Sequence, residues 1–188
     1  KLINKIIDID EDKIKNIIQL IKLNINSPLT SSIGRLFDAI ASLIGICNII
    51  TYQAQAAIKL ETKARRNLKA LYNYHIENKD DYFIVNTDPL IRDIVNDVEL
   101  GISKEIIAGK FHNTVISFSV ATCELIRDKY NINTVVLSGG VFQNEIILKG
   151  IYKQLRESKF EVYIHSKIPC NDGGISVGQL VIGNYKNE

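Results

Sequence analysis

Methionine is absent from the 188 residues, and the first residue is lysine. Usual frequencies would give roughly four methionines in a chain of this size, and the absent start residue leads us to expect a piece cut from a longer protein. Cysteine is sparse: Cys47, Cys123 and Cys170 stand far apart, an odd number with no CxxC pair. That argues against a disulfide framework and against a cysteine-based zinc site, and points to a reduced, cytoplasmic setting. Proline occurs only at Pro28, Pro89 and Pro169, each in a stretch that reads as loop. Charge of one sign is not in excess either. With Lys+Arg 23 against Asp+Glu 21, the chain lacks the basic surplus of a protein held by phosphate backbones, so no nucleic-acid partner is expected. No apolar run approaches the ~20 residues of a membrane span, and Lys1 to Glu11 lacks the clean apolar core of a secretory leader; no membrane association is expected. What remains is ordinary for a globular core, 46% hydrophobic and 23% charged, in a length that fits one domain or one large lobe of a bigger one.

Residues 11–23 carry Ile14, Ile17, Ile18 and Ile21 at helical spacing, with Glu11 and Asp12 at the favourable end. A loop over 24–32 leads to Ser31 or Ser32 as cap of a helix from Ile33 to about Ile44, which Gly45 terminates. The stripe Ala57, Leu60, Ala64, Leu68, Leu71 predicts one long helix over 54–78, with His75 exposed on it. A short strand follows at 82–86, and Asp88-Pro89 opens a helix to about Val98. Ser103 caps a long helix to about Tyr130, with Ile106, Ile107, Phe111, Val115, Phe118, Thr122, Leu125 and Ile126 on its core face and His112 packed beside Phe111. Thr134–Ser138 is a continuous apolar run, as in a strand buried on both faces. Gly139-Gly140 turns into a helix over about 144–158, and 160–165 is a second strand. Asn171-Asp172-Gly173-Gly174 leads into a last helix to about Gly183. Strand, Gly-rich turn, helix, strand is a parallel βαβ unit. The class is α/β, helix-rich, with a small mixed sheet.

Three places could carry chemistry. Gly34 and Asp38 lie four apart, on one helix face. A glycine inside a helix costs about 1 kcal/mol against alanine, so either close helix packing or a ligand accounts for it; a carboxylate one turn on could accept from ribose hydroxyls. In Ser138-Gly139-Gly140-Val141-Phe142-Gln143-Asn144, glycines between strand and helix either form a plain structural turn or let backbone N–H groups approach an anion near a helix N-terminus. Neither a Walker A pattern nor GxGxxG is present. Asp172 follows a strand, where a parallel sheet presents ligands; it either caps the next helix or ligates a hard metal. The histidines form no HxxH, HxxxH or HExxH pair. Lys63-Ala64-Arg65-Arg66 reads as a solvated face.

Five blocks are more specific together than singly: PLTSSIGRLFDAIASLIG (28–45), TYQAQAAIKLE (51–61), GKFHNT (109–114), VVLSGGVFQNEIIL (135–148) and IPCNDGGISVGQ (168–179). In this order and spacing they resemble the C-terminal part of HypF, the carbamoyltransferase family of [NiFe]-hydrogenase maturation. The resemblance covers nearly the whole chain after about Asn26 and suggests 1–26 as an N-terminal helix and connector ahead of a lobe over 27–188. It implies one lobe of the actin/Hsp70-like (ASKHA) fold, in the branch shared with TsaD-type tRNA threonylcarbamoyl transferases. Proteins of this family bind an adenine nucleotide in a cleft between two lobes, with a metal held by a His pair from one lobe and an Asp from the other.

The resemblance further implies that a YrdC-like domain, which this chain lacks, makes carbamoyl adenylate from carbamoyl phosphate and ATP. The lobe pair would then pass the carbamoyl group to the C-terminal cysteine thiol of HypE. Carried over residue by residue, Gly34 and Asp38 become ribose contacts, Ser138, Gly139 and Gly140 the phosphate-side loop, and Asn144 the contact that approaches the base. Asp172 becomes one ligand of a divalent metal (iron, zinc or magnesium) shared with the other lobe. No catalytic residue is assigned. Where the family usually reads Tyr-Glu-Gly-Gln, this chain has Tyr52-Gln53-Ala54-Gln55, which either alters carbamoyl or metal handling or is neutral. The chain alone is expected to be inactive, to bind nucleotide weakly and to be capable of self-association. The alternatives are a carbamoyltransferase of the same fold acting on tRNA or on a metabolite hydroxyl, and a non-catalytic module.

Overall fold

The structure, a computed structural model, describes residues 10–185; residues 1–9 of the expected N-terminal segment and residues 186–188 lie outside the described residues. The described chain falls into two compact units that divide between Leu60 and Glu61.

The first unit holds α1 (Glu11–Lys22), α2 (Ile33–Leu43) and most of α3 (Gln55–Lys63). Asp10 caps α1 by accepting from the Asp12 amide, and Glu11 and Asp12 complement the positive end of the helix. No residue of α1 is buried, so Ile17, Ile18, Leu20 and Ile21 keep its apolar side in solvent. Ser32 caps α2, accepting from the Arg35 amide at 3.4 Å. The helix ends as its sequence dictates: Gly45, at φ +66°, donates to Ser42, and Ile46 reaches back to the Ala41 carbonyl. This is the paired termination that a left-handed glycine permits. Phe37, Ile40 and Ala41 are its buried positions.

In the second unit, β1 (His75–Asn78) and β2 (Phe83–Asn86) form an antiparallel hairpin, His75 opposite Asn86. Next come α4 (Asp88–Glu99), with Pro89 in its first turn, and the 27-residue α5 (Lys104–Tyr130). From Ile107 to Val120, α5 is buried on most sides, so it is the centre of this unit. Then β3 (Thr134–Leu137), a 3₁₀ turn (Gly140–Gln143), α6 (Glu145–Glu157) and β4 (Glu161–Ile164) complete the expected βαβ unit; β3 and β4 are parallel, Thr134 opposite Glu161. α6 lies on α5 so closely that a Cβ on Gly150 would meet Ile116 Cδ1 at 2.3 Å. A second 3₁₀ turn (Asp172–Gly174) leads into α7 (Ile175–Tyr185).

The helix-rich α/β reading holds, with the strands in two separate two-stranded sheets. Three local expectations are corrected. The helix predicted over 54–78 stops at Lys63, and His75 lies on β1. Between them the backbone is satisfied by side chains from neighbouring helices: Asn113 Nδ2 donates to the Leu68 and Ala70 carbonyls, Thr114 Oγ1 accepts from the Tyr72 amide, and Asp93 from the Asn73 amide. Tyr72, outside the predicted stripe, takes the core position. Its hydroxyl donates to Asp97 Oδ2 at 2.8 Å, Lys110 Nζ donates to the same oxygen at 2.6 Å, and Lys110 lies over the ring. Tertiary hydrogen bonds here outweigh a propensity worth a few tenths of a kcal/mol per residue. Second, β3 is covered on one face only. Leu137 is buried while Val136 is 65% exposed, because successive side chains point to opposite faces and only one face has a helix on it. Third, Leu125 is exposed near the end of α5.

Candidate functional site

The centre of the candidate site is the turn that leaves β3. Ser138 follows the last strand residue, and its hydroxyl lies 2.9 Å from His165 Nε2, just beyond β4. Gly139 sits at φ +107°, a conformation L side chains rarely adopt, and its N–H donates to the Cys170 carbonyl at 2.7 Å. The turn is thereby tied to the loop that carries Asp172. The 3₁₀ turn then closes with Phe142 N–H on Gly139 O and Asn144 N–H on Val141 O. The amides of Gly140 and Val141 have no acceptor among the described residues. A Cβ built on Gly139 or Gly140 would find no atom within 4 Å. The local sequence thus leaves two adjacent amides without acceptors, next to glycines whose side-chain positions are open, at the carboxyl end of a parallel strand. That combination suits an oxyanion.

The N-terminus of α6 does not add donors to this turn, which corrects the expectation that its dipole assists there. Asn144 Oδ1 accepts from the Ile147 amide at 3.0 Å, and Glu61 Oε1 accepts from the Glu145 and Ile146 amides at 2.7 and 3.4 Å. The chain's own carboxylate occupies the position an external anion would take. Asn144 is nearly buried, and its Nδ2 lies 3.0 Å from His112 Nε2. His112 Nδ1 lies 2.7 Å from the Ala108 carbonyl. A carbonyl only accepts, so Nδ1 carries the proton and Nε2 accepts from Asn144. Burial pushes the His112 pKa down to about 4, which keeps the ring neutral near pH 7.

The other predicted residues stand as follows. On α2, in the first unit, a Cβ on Gly34 would meet only Ser32 Oγ, at 3.7 Å, so no close packing explains this glycine. Asp38, one turn on, is half-exposed and 3.7 Å from Arg35 Nη1, a loose surface pair. Asp172 is exposed, and its carboxylate makes no hydrogen bond or ion pair among the described residues. The cap of the Asp172–Gly174 turn is Asn171, whose Oδ1 accepts from the Gly173 amide. No three His, Cys, Asp or Glu side chains gather to hold a metal among the described residues. A metal held by Asp172 would need further donors from elsewhere.

Ser138, Gly139, Gly140 and Asn144 form one continuous stretch, with Asp172 linked to it through the Gly139–Cys170 hydrogen bond. A cleft of about 360 Å³ opens beside the turn at the carboxyl ends of β3 and β4, lined by Leu137, Phe142, Leu148, Ile164, His165 and Lys167 among others. Sequence reasoning missed His112, His165 and Glu61, none of which lies near the turn in sequence. A second cleft, about 190 Å³, adjoins His112 and includes Arg65, Arg66 and Lys149. There Arg66 and Lys149 both pair with Glu145, in line with the solvated face expected of the basic cluster.

A family model described as "Carbamoyltransferase, Kae1-like Domain, second subdomain" matches residues 1–179, and the chain belongs to that family. It is similar to the carbamoyltransferase HypF of Synechocystis sp., 38% identical over 156 residues that make up 82% of this chain and 20% of the relative. It is similar to the probable carbamoyltransferase HypF of Methanocaldococcus jannaschii, 36% identical over 163 residues, 87% of this chain and 21% of the relative. A crystal structure of full-length HypF in its phosphate- and nucleotide-bound form superposes with a TM-score of 0.92 at 41% identity, over 100% of this chain and 25% of that one. The chain thus spans a fifth to a quarter of the length of these three relatives. The fold is the Kae1-like one that the resemblance implied.

Proposed function

We propose that this chain is the part of a HypF-type carbamoyltransferase that holds an adenine nucleotide by its phosphates while a carbamoyl group passes from carbamoyl adenylate to a protein thiol. The observation that carries the reading is the pair of Gly140 and Val141 amides without acceptors among the described residues, next to the open side-chain positions of Gly139 and Gly140. The solved relative described as phosphate- and nucleotide-bound supports it. In the reaction, the thiolate sulfur of a HypE-like acceptor attacks the carbonyl carbon. The carbon–oxygen bond to the phosphate breaks, AMP leaves with the electron pair, and a thiocarbamate remains.

Gly140 and Val141 donate to the phosphate oxygens as charge builds on the leaving group. Ser138, held by His165, lines the same turn. Gly34 leaves room beside the Asp38 carboxylate, which accepts from ribose hydroxyls. Asn144, with its Oδ1 committed to the helix cap, reaches the base only through its second amide hydrogen. A divalent metal, when bound, supplies Lewis-acid stabilisation of phosphate charge, and Asp172 is the residue that would hold it from this side. Two of the chain's own cysteines are poor nucleophiles: Cys47 is buried, and burial pushes the Cys123 thiol up. Carbamoyl phosphate and ATP are substrates of the whole protein and not of this chain alone. Among the described residues no helix is long and apolar enough to cross a membrane.

Calorimetric titration of the chain with ATP and a divalent metal, beside Asp38→Ala, tests the reading. Saturable but weak binding that the variant loses is the expected result. Equal binding by the two would remove Asp38 from the site. No heat with the chain, and none with a longer protein that contains it, would overturn the nucleotide reading altogether.

A further inference from the structure

We propose that His112 is the positioning residue of the anion-binding turn: from the core of α5 it fixes Asn144, and through Asn144 it sets where the Gly140 and Val141 amides point. The inference rests on the nucleotide reading above and deepens it. Asn144 belongs to two elements at once. Its N–H closes the 3₁₀ turn on Val141 O, and its side chain caps α6 through Ile147. The amide plane is held at both ends, Oδ1 by the Ile147 N–H at 3.0 Å and Nδ2 by His112 Nε2 at 3.0 Å. A flipped amide would set donor against donor at Ile147 and acceptor against acceptor at His112, so one orientation survives. The ring is oriented in turn by Ala108 O at 2.7 Å, one helical turn earlier, and stands edge-on to Phe111.

His112 is fully buried and Asn144 is 8% exposed, so each of these bonds lies where water cannot replace it. An apolar side chain would fill the same core position at no desolvation cost. The imidazole is explained by what it holds. It does not line the cleft beside the turn, and its link to the turn runs through Asn144.

The test compares the chain with His112→Phe, His112→Gln and Asn144→Ser. Phenylalanine keeps the ring volume and loses the acceptor. Glutamine places an amide oxygen near the Nε2 position. Serine keeps the α6 cap but cannot reach His112. Urea unfolding establishes that each variant folds, and two readouts follow: affinity for ADP with Mg²⁺ by calorimetry, and the ¹⁵N–¹H resonances of Gly140 and Val141. The proposal expects about a tenfold loss of affinity in His112→Phe, the equivalent of one buried hydrogen bond, together with displaced Gly140 and Val141 resonances. Asn144→Ser should share both changes and His112→Gln should recover both. Should His112→Phe not fold, Asn144→Ser against His112→Gln decides in the same way. Parent-like affinity and resonances in the folded His112→Phe and Asn144→Ser variants would overturn the proposal, as would His112→Gln behaving like His112→Phe, which would leave only ring packing. If the parent binds no ADP, the nucleotide reading fails separately; the two resonances, displaced in Phe and restored in Gln or unmoved in both, still decide the positioning role.

Discussion

Gly34 lies in the first turn of α2 with only Ser32 Oγ near the place a Cβ would occupy. Gly34→Ala should therefore leave stability unchanged or raise it by up to about 1 kcal/mol, while nucleotide affinity falls because the methyl enters space open to the ligand in the proposed site. Urea midpoints and calorimetry on the same protein separate the two effects. Ala54 is the mirror case. It sits at φ +60°, just before α3, in a conformation that favours glycine. Ala54→Gly should stabilise the chain by roughly 0.5–1 kcal/mol in urea unfolding; a destabilised variant would contradict the assigned backbone. His112 supplies a pH signature. Its pKa falls from an unfolded value near 6.5 to about 4, so the unfolded chain binds the extra proton in that window. Stability contributed by the neutral ring is present above pH 6.5 and is lost as pH falls toward 4, by up to about 3 kcal/mol. Carboxylates titrate at the lower end too, so the measure is the difference in unfolding free energy between the chain and His112→Gln at pH 7 and pH 5. That difference should narrow at pH 5.

At the scale of elements, Gly109 marks where α5 meets the chain after α3. A Cβ there would meet the Arg65 carbonyl at 2.5 Å, and backbone cannot step aside cheaply. Gly109→Ala should cost roughly 1–3 kcal/mol, read as a lowered urea midpoint. An unchanged midpoint would place the 64–74 segment elsewhere. This segment is also where the sequence misled. Its stripe is helical in period, yet Arg65 N–H bonds to Glu105 O, and Asn113, Thr114 and Asp93 satisfy the residues that follow. Those partners come from helices 20 to 45 residues later, and no local pattern announces them. The elements with their own stop and start signals were legible: Ser32 and Gly45 around α2, Pro89 in α4, Asn144 at α6. The same divide runs through the site. Gly-Gly between a β-branched run and a helix is readable as a turn, and only the family resemblance made it a phosphate-side loop. Glu61 and His112, 84 and 32 residues from the α6 groups they hold, are not readable.

For the whole molecule, the exposed apolar surface is the main physical fact. α7 buries none of its residues, and Leu180, Val181, Ile182 and Tyr185 are each more than half exposed. On β3 and β4, Val136 and Tyr163 are likewise uncovered, although parallel strands usually have both faces covered. Contiguous exposed apolar surface marks a place where another surface can dock. Light scattering at rising concentration should show self-association of this chain, reduced in Leu180→Lys/Val181→Ser; a monomeric mass throughout would contradict that. The proposed function rests on the turn after β3. The measurement that tests it most directly is a titration of ¹⁵N-labelled chain with ADP and Mg²⁺, following Gly140 and Val141. Saturable shifts of these two amides, larger than those of Glu145 and Ile146, which Glu61 already holds, are the predicted result. Saturable binding that leaves Gly140 and Val141 unmoved would contradict the account.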